Sequence, residues 1–300
     1  FPGAGVATFN TAAFAFFLQR YEVTKLPQVY LFSAVLLWIT GFIYTKVEHH
    51  FPIKKLVPVI IVFIAVSIIA FRIQSSLIDG AWFIFLMFSW YYVIYLLSNL
   101  EFWGLASLQF DIRQSKRLFG MIGAGDIPAK LLGYSAVPFL EPLIGNNNML
   151  IISAGLILCA LFFYFRLRNA GKMEMHIKHE HHGHHHSDTN PTVRDMLRSF
   201  FGNRMIAMVA LLSFIVVTCV TVISFSFYSE IKHEAHSDEQ LASFIAMFYA
   251  GGRLLAIVVR LIFTGRITNI IGTKGTLLIS PILLFVFVVV IILLPFISVN

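Results

Sequence analysis

Asp126 and Lys130 stand four residues apart with the acid first, the order in which a helical ion pair is most favourable. Both fall inside a largely apolar run, as do Glu101, Arg253 and Arg260 in theirs. Ionisable groups at such depth are expensive and normally face a protein interior or a water-filled cavity. Lys130 lies about twelve residues, ~18 Å along a helix, from the inner end of its run, and Arg253 about ten residues, ~15 Å. Two chemistries are open to the first pair. Lys130 binds a solute anion that Asp126 tunes or releases, or the two form a self-neutralised structural pair. Arg253 suits a phosphate, because its planar fork makes two parallel hydrogen bonds; a buried pair with Asp126 or Glu101 is the alternative. Arg260 is close enough to the end of its run to snorkel to the interface. Glu101 can carry a proton, complement Lys130, or sit solvated at the interface.

Other chemistries are less well supplied. His176, His179, His181, His182, His184, His185 and His186 crowd one hydrophilic stretch. Imidazole binds Zn and Ni, which makes His181, His182, His184 and His185 weak metal candidates, but a specific site fixes ligand number and geometry. A solvated linker is the plainer reading. The two cysteines, Cys159 and Cys219, lie in apolar runs and are expected to be small hydrophobes without a disulfide. No nucleophile–base pairing, P-loop motif or spaced metal-ligand set occurs, so neither an enzyme nor a cofactor is expected.

The elements that must position these side chains follow from composition. Of the 300 residues, 58% are hydrophobic and only 12% charged, whereas a soluble domain carries roughly a quarter charged residues. Apolar runs near twenty residues recur, the length that crosses a hydrocarbon core of ~30 Å. Soluble enzyme folds are thereby excluded. Only helices and closed barrels satisfy their backbone in lipid, and alternating barrel segments are absent. The reading is an all-α polytopic membrane protein with nine spans, at 3–19, 27–45, 56–71, 80–109, 118–140, 148–165, 205–228, 239–263 and 276–298. If the first span runs outward, fifteen Lys and Arg fall on the inner side, in the segments 46–55, 110–117, 167–204 and 264–275 and at Arg166 on the edge of the third, against Arg20, Lys25, Arg72 and Lys232 outside. That asymmetry orients the chain with those segments cytoplasmic. It also accounts for the net charge of +7 without nucleic-acid binding. Within the fifth span, Gly125, Ala129 and Gly133 recur every four residues, a small-residue stripe for close helix approach, and Pro128 is expected to kink it. Asn10, Thr8 and Thr11, and Thr218, Thr221, Ser224 and Ser226, either line a polar path or bond to their own helix backbone. Both chain ends fall at apolar sequence, so a fragment is expected.

Two stretches carry a family resemblance. Gly265-Arg266-Ile267-Thr268-Asn269-Ile270-Ile271-Gly272-Thr273-Lys274 resembles the cytoplasmic loop signature of the major facilitator superfamily, G-x-x-x-D-x-x-G-x-R/K, with Asn269 where the acid stands. Phe102-Trp103-Gly104-Leu105-Ala106, followed by Lys116-Arg117 and the glycine-rich run from Gly120 to Gly125, resembles the fourth-to-fifth helix region of the ATP/ADP translocase (nucleotide transporter) family. Glu239 to Tyr249 is similar to the start of that family's eighth helix. Asp126 and Pro128 depart from the exchangers' pattern and imply a divergent, bacterial branch. The resemblance implies a major-facilitator-like bundle of twelve helices, nine of them present: an N-terminal six-helix half at 1–166, a His-rich central loop at 167–204, and the first three helices of a second half at 205–300. It also implies gating at Gly265, Arg266, Asn269, Gly272 and Lys274, and alternating access around a central site.

The functional expectation is a secondary transporter, in the bacterial inner membrane, of a small anionic solute of the nucleotide or organic phosphate class. Lys130 and Arg253 would bind the anion, with Asp126 and Glu101 as counter-charges or proton carriers. The competing reading is a non-transporting membrane module that anchors or signals to a fused or associated soluble domain. Metal-ion transport through the histidine stretch is the weakest, since no span contains histidine.

Overall fold

A computed structural model describes residues 2–77, 80–109, 112–169, 202–234 and 238–259, with single positions between 279 and 289. Among them the regular structure is entirely helical. Eight α-helices follow one another: α1 (Pro2–Arg20), α2 (Leu26–His50), α3 (Ile53–Leu77), α4 (Ala81–Gln109), α5 (Ile112–Ile144), α6 (Asn146–Asn169), α7 (Arg204–Glu234) and α8 (Asp238–Val259). The ninth expected span, 276–298, lies almost wholly outside the described residues, as do most of the His-rich stretch and the gating loop.

Among the described residues, five helices are long and apolar enough to cross a membrane: α2, α3, α4, α6 and α7. Their outward faces are themselves apolar. On α2, Leu31, Val35, Trp38 and Phe42 form an exposed stripe, and on α3 Val59, Val62, Phe63, Val66 and Ile73 do the same. A helix that is hydrophobic all round belongs in lipid or in a large core, and these stripes have no protein cover. The chain is an integral membrane protein. Among the described residues α1 and α5 do not reach the same apolarity over a membrane-crossing length, and α8 shows a shorter apolar stretch, Ser243–Val258; five of the nine expected spans are thus seen as helices able to cross a membrane. In α1 and α5 the cause is compositional: they carry the small and polar residues Gly3, Gly5, Asn10, Asp126, Lys130 and Gly133.

The chain forms two compact units, residues 1–176 with 230–262, and residues 177–229 with 263–300. The second holds most of α7, whose apolar window is unburied. In the first unit α1 is the central element, buried along most of its length and packed on α4, α5, α6 and α8. Small residues make that possible. A Cβ on Gly5 would lie 2.7 Å from Cγ1 of Ile157 on α6, and beside it Ser153 Oγ donates to the Gly5 carbonyl at 2.7 Å. Further along α1, Asn146 Nδ2 donates to the Ala12 carbonyl, so α1 and α6 run antiparallel. Helices α3 and α6 are antiparallel too, tied at one end by Arg72 to Asn148 (3.1 Å) and at the other by Tyr164 Oη to the Lys54 carbonyl (2.6 Å). The turn between α5 and α6 is Gly145, whose φ of 76° only glycine adopts without steric cost. The C-terminal half of α1 meets α4 through aromatic rings, with Phe88 5.0 Å from both Phe14 and Phe17. Although the sequence reading places α8 in the half beginning at 205, it packs on α5 and α1 in the first unit.

Candidate functional site

Three helices each bring two or three polar or aromatic side chains, spaced four residues apart, to one place. Four residues is about one helical turn, so each pair shares a face. On α5 the face is Asp126, Lys130 and Tyr134; on α8 it is Tyr249 and Arg253; on α4 it is Tyr91 and Tyr95. Helix α1 adds Asn10 and makes room through Gly3 and Ala4.

The small-residue stripe on α5 explains how these faces meet. A Cβ on Gly133 would stand 2.6 Å from the Ala4 carbonyl oxygen and 2.9 Å from the Ala4 Cα, so α5 lies directly on the α1 backbone there. Ala129 continues the contact, 3.3 Å from where a Gly3 Cβ would be, while Gly125 has open space around it. Two of the three stripe positions therefore serve close approach. Gly3 does more than pack: a Cβ there would meet Asp126 Oδ1 at 2.7 Å. Pro128 is accommodated within a helix that continues from Ile112 to Ile144.

Lys130 Nζ donates to Asp126 Oδ2 at 2.6 Å and stands 5.0 Å from the centre of the Tyr95 ring, within cation–π range. The pair is unevenly covered, with the Lys130 side chain 8% exposed and that of Asp126 38%. That inequality sets the cost of breaking it. Asp126→Asn strands the buried ammonium and is expected to cost about 3–5 kcal/mol, the range for an uncompensated buried charge. Lys130→Met leaves a carboxylate that water still reaches and should cost less. Thermal unfolding of the purified protein in detergent should rank Asp126→Asn below Lys130→Met; the reverse order would mean that Lys130 is hydrated.

Above the pair, Tyr134 and Tyr249 stack with ring centres 5.1 Å apart and planes at 18°, joining α5 to α8. Asn10 Nδ2 donates to Tyr134 Oη at 3.2 Å. Arg253, half-buried, lies beside the same hydroxyl and makes no ion pair among the described residues. Tyr91 is half-buried, within electrostatic range of Tyr134, Tyr249 and Tyr95. The cluster is thus a neutralised cation, a second cation with no carboxylate partner, and a wall of phenol rings.

No family model, curated protein or solved structure matches the chain.

The structure pairs Lys130 with Asp126 and places Arg253 beside Tyr134, one turn further along α5, while Glu101 stands apart from the pair. Lys130 is satisfied by Asp126, and Glu101 lies six residues beyond Tyr95 on α4, ~9 Å further along the axis. Arg260, Gly265, Arg266, Asn269, Gly272, Lys274 and His181, His182, His184 and His185 fall outside the described residues. Of the two readings open to the threonines, the structure shows the bond to their own helices: Thr8 to Ala4, Thr11 to Ala7, Thr218 to Phe214 and Thr221 to Val217. Sequence reasoning missed the tyrosines and Gly3. The signal was present, since Tyr134 follows Lys130 by four residues, Tyr249 precedes Arg253 by four, and Tyr91 and Tyr95 share that spacing. A tyrosine in an apolar run does not stand out as a charge does.

Proposed function

We propose that the chain is a secondary transporter of an anionic solute of the nucleotide or organic phosphate class, working by alternating access. The observation that carries this reading is Arg253: a half-buried guanidinium with no carboxylate partner among the described residues, held beside the Tyr134 hydroxyl. A cation that the protein leaves uncompensated in such a place is a natural partner for an anion brought from outside. The stacked Tyr134 and Tyr249 rings and the Asn10 amide give the same place apolar faces and hydrogen-bonding groups, the mix that small-molecule sites use. Lys130, already bound to Asp126, adds positive potential once an incoming anion competes for it. The resemblance of the Gly265–Lys274 stretch to the major facilitator loop, and of the Phe102–Gly125 stretch to the nucleotide transporters, supports the substrate class and the two-half architecture. The lysine and arginine bias supports a bacterial inner-membrane orientation with 46–55, 110–117, 167–204 and 264–275 in the cytoplasm.

A second reading has one observation of its own. Lys130 is already clamped by an acid, as in a structural pair, which favours a non-transporting module serving a soluble partner domain. Full-length protein in liposomes separates the two. Transport predicts exchange of labelled ADP, ATP, inorganic phosphate or glycerol phosphate across the bilayer; no exchange with any of the panel favours the anchoring module.

A further inference from the structure

Glu101 is a buried acid that the anion site does not use. Its residue is only 5% exposed, and its Oε2 is fully covered with no hydrogen-bond partner among the described residues. An ionised carboxylate left so would cost several kcal/mol, whereas a proton on one oxygen removes the charge. Every element packed on this part of α4 bears on the question. From α2, Tyr44 is within electrostatic range of Glu101 and also of Glu48; Tyr44 is buried, and its hydroxyl lies 3.8 Å from where a Gly104 Cβ would be. From α3, Ile53 packs near Gly104, and the cations Lys54 and Lys55 follow it in sequence. Helix α1 has no ionisable side chain before Arg20. Among the described residues, the groups placed beside Glu101 are therefore one phenol and apolar side chains.

The place matters as much as the burial. Tyr44, Gly104 and Ile53 bring together the last turns of α2 and α4 and the first turn of α3, where the α2–α3 connection is only Phe51-Pro52. Any opening of this end of the bundle wets Glu101 first.

We propose that Glu101 is a proton-binding site that couples solute movement to a proton gradient. The carboxylate takes one proton from water when this end is open, keeps it as a neutral acid when the end closes, and returns it to water on reopening. The role in coupling rests on the transport reading; the existence of the proton site does not.

The test has one arm for each. In infrared spectra of the full-length protein at neutral pH, the carbonyl stretch of a protonated carboxylic acid is expected, and Glu101→Gln should remove it while Glu101→Asp retains it. An absent band, or one unchanged by Glu101→Gln, overturns the proton site. Because Gln is a neutral isostere of the protonated acid, Glu101→Gln should also keep the wild-type melting temperature; a large loss would mean that the native group is charged and overturns the proposal too. For coupling, the probe is labelled ADP in liposomes. Glu101→Gln should retain ADP-for-ADP exchange and lose ADP accumulation driven by an imposed pH gradient. Wild-type exchange that ignores the gradient overturns coupling, while exchange absent from wild type tells against the transport reading and leaves the infrared result standing.

Discussion

Arg253→Gln is expected to reduce exchange of labelled ADP or organic phosphate in liposomes by about 10–150-fold, the equivalent of one charge-assisted hydrogen bond of ~1.5–3 kcal/mol. Lys130 spends its first hydrogen bond on Asp126 at 2.6 Å, so the anion must be met mainly by the cation that has no carboxylate of its own. Glutamine keeps length and a donor but removes the charge. Arg253→Lys keeps the charge and loses the planar fork, and should fall between wild type and Gln. Lys130→Met should be the milder change in initial binding, because it removes a cation already neutralised. Exchange that survives Arg253→Gln unaltered, with Lys130→Met inactive, would transfer the anion-binding role to Lys130.

The second large effect concerns architecture. Gly133→Ala should destabilise the protein even though alanine is the better helix former. Helix propensity favours the substitution by about 1 kcal/mol. Against it, the new methyl would stand 2.6 Å from a carbonyl oxygen and 2.9 Å from a Cα of α1, and backbone atoms cannot rotate aside as a side-chain tip can. Overpacking of this kind costs about 1–3 kcal/mol, so the clash wins, and Gly133→Val should be worse. Gly125→Ala is the control, because open space surrounds that position and only the propensity gain remains. The melting temperatures should order Gly125→Ala at or above wild type and Gly133→Ala below it. Equal behaviour of the two would mean that α5 does not rest on α1.

Much of this arrangement was legible in the sequence, and the parts that were not share a physical cause. Apolar runs of membrane-spanning length are written in consecutive residues, so α2, α3, α4, α6 and α7 could be read directly, including α4 as one long helix over 81–109. The Asp126–Lys130 pair was legible for the same reason, since both partners are on one helix. The unequal burial of the two was not, because it depends on which neighbours α1 and α4 supply. Arg253 could be singled out as a deep cation, yet nothing near it in sequence names Tyr134, more than a hundred positions earlier, as the group beside it. Glu101 shows the converse. Its depth and partner were left open because helix length alone does not say which end protrudes, and the structure places it against Tyr44, apart from Lys130. Gly3 could not have been found at all from sequence, because its role is to leave space for Asp126 Oδ1 on another helix.

The account turns on whether water and solute reach the tyrosine-walled space beside Arg253. The direct measurement replaces Cys159 and Cys219, both free, and introduces Tyr249→Cys, one helical turn before Arg253, in the full-length protein. A small, membrane-impermeant, anionic thiol reagent should then label position 249 in intact liposomes, and ADP or inorganic phosphate should slow that labelling. A thiol at 249 that the reagent never reaches, while a lipid-soluble maleimide labels it readily, would place Arg253 in a dry helix interface and contradict the account.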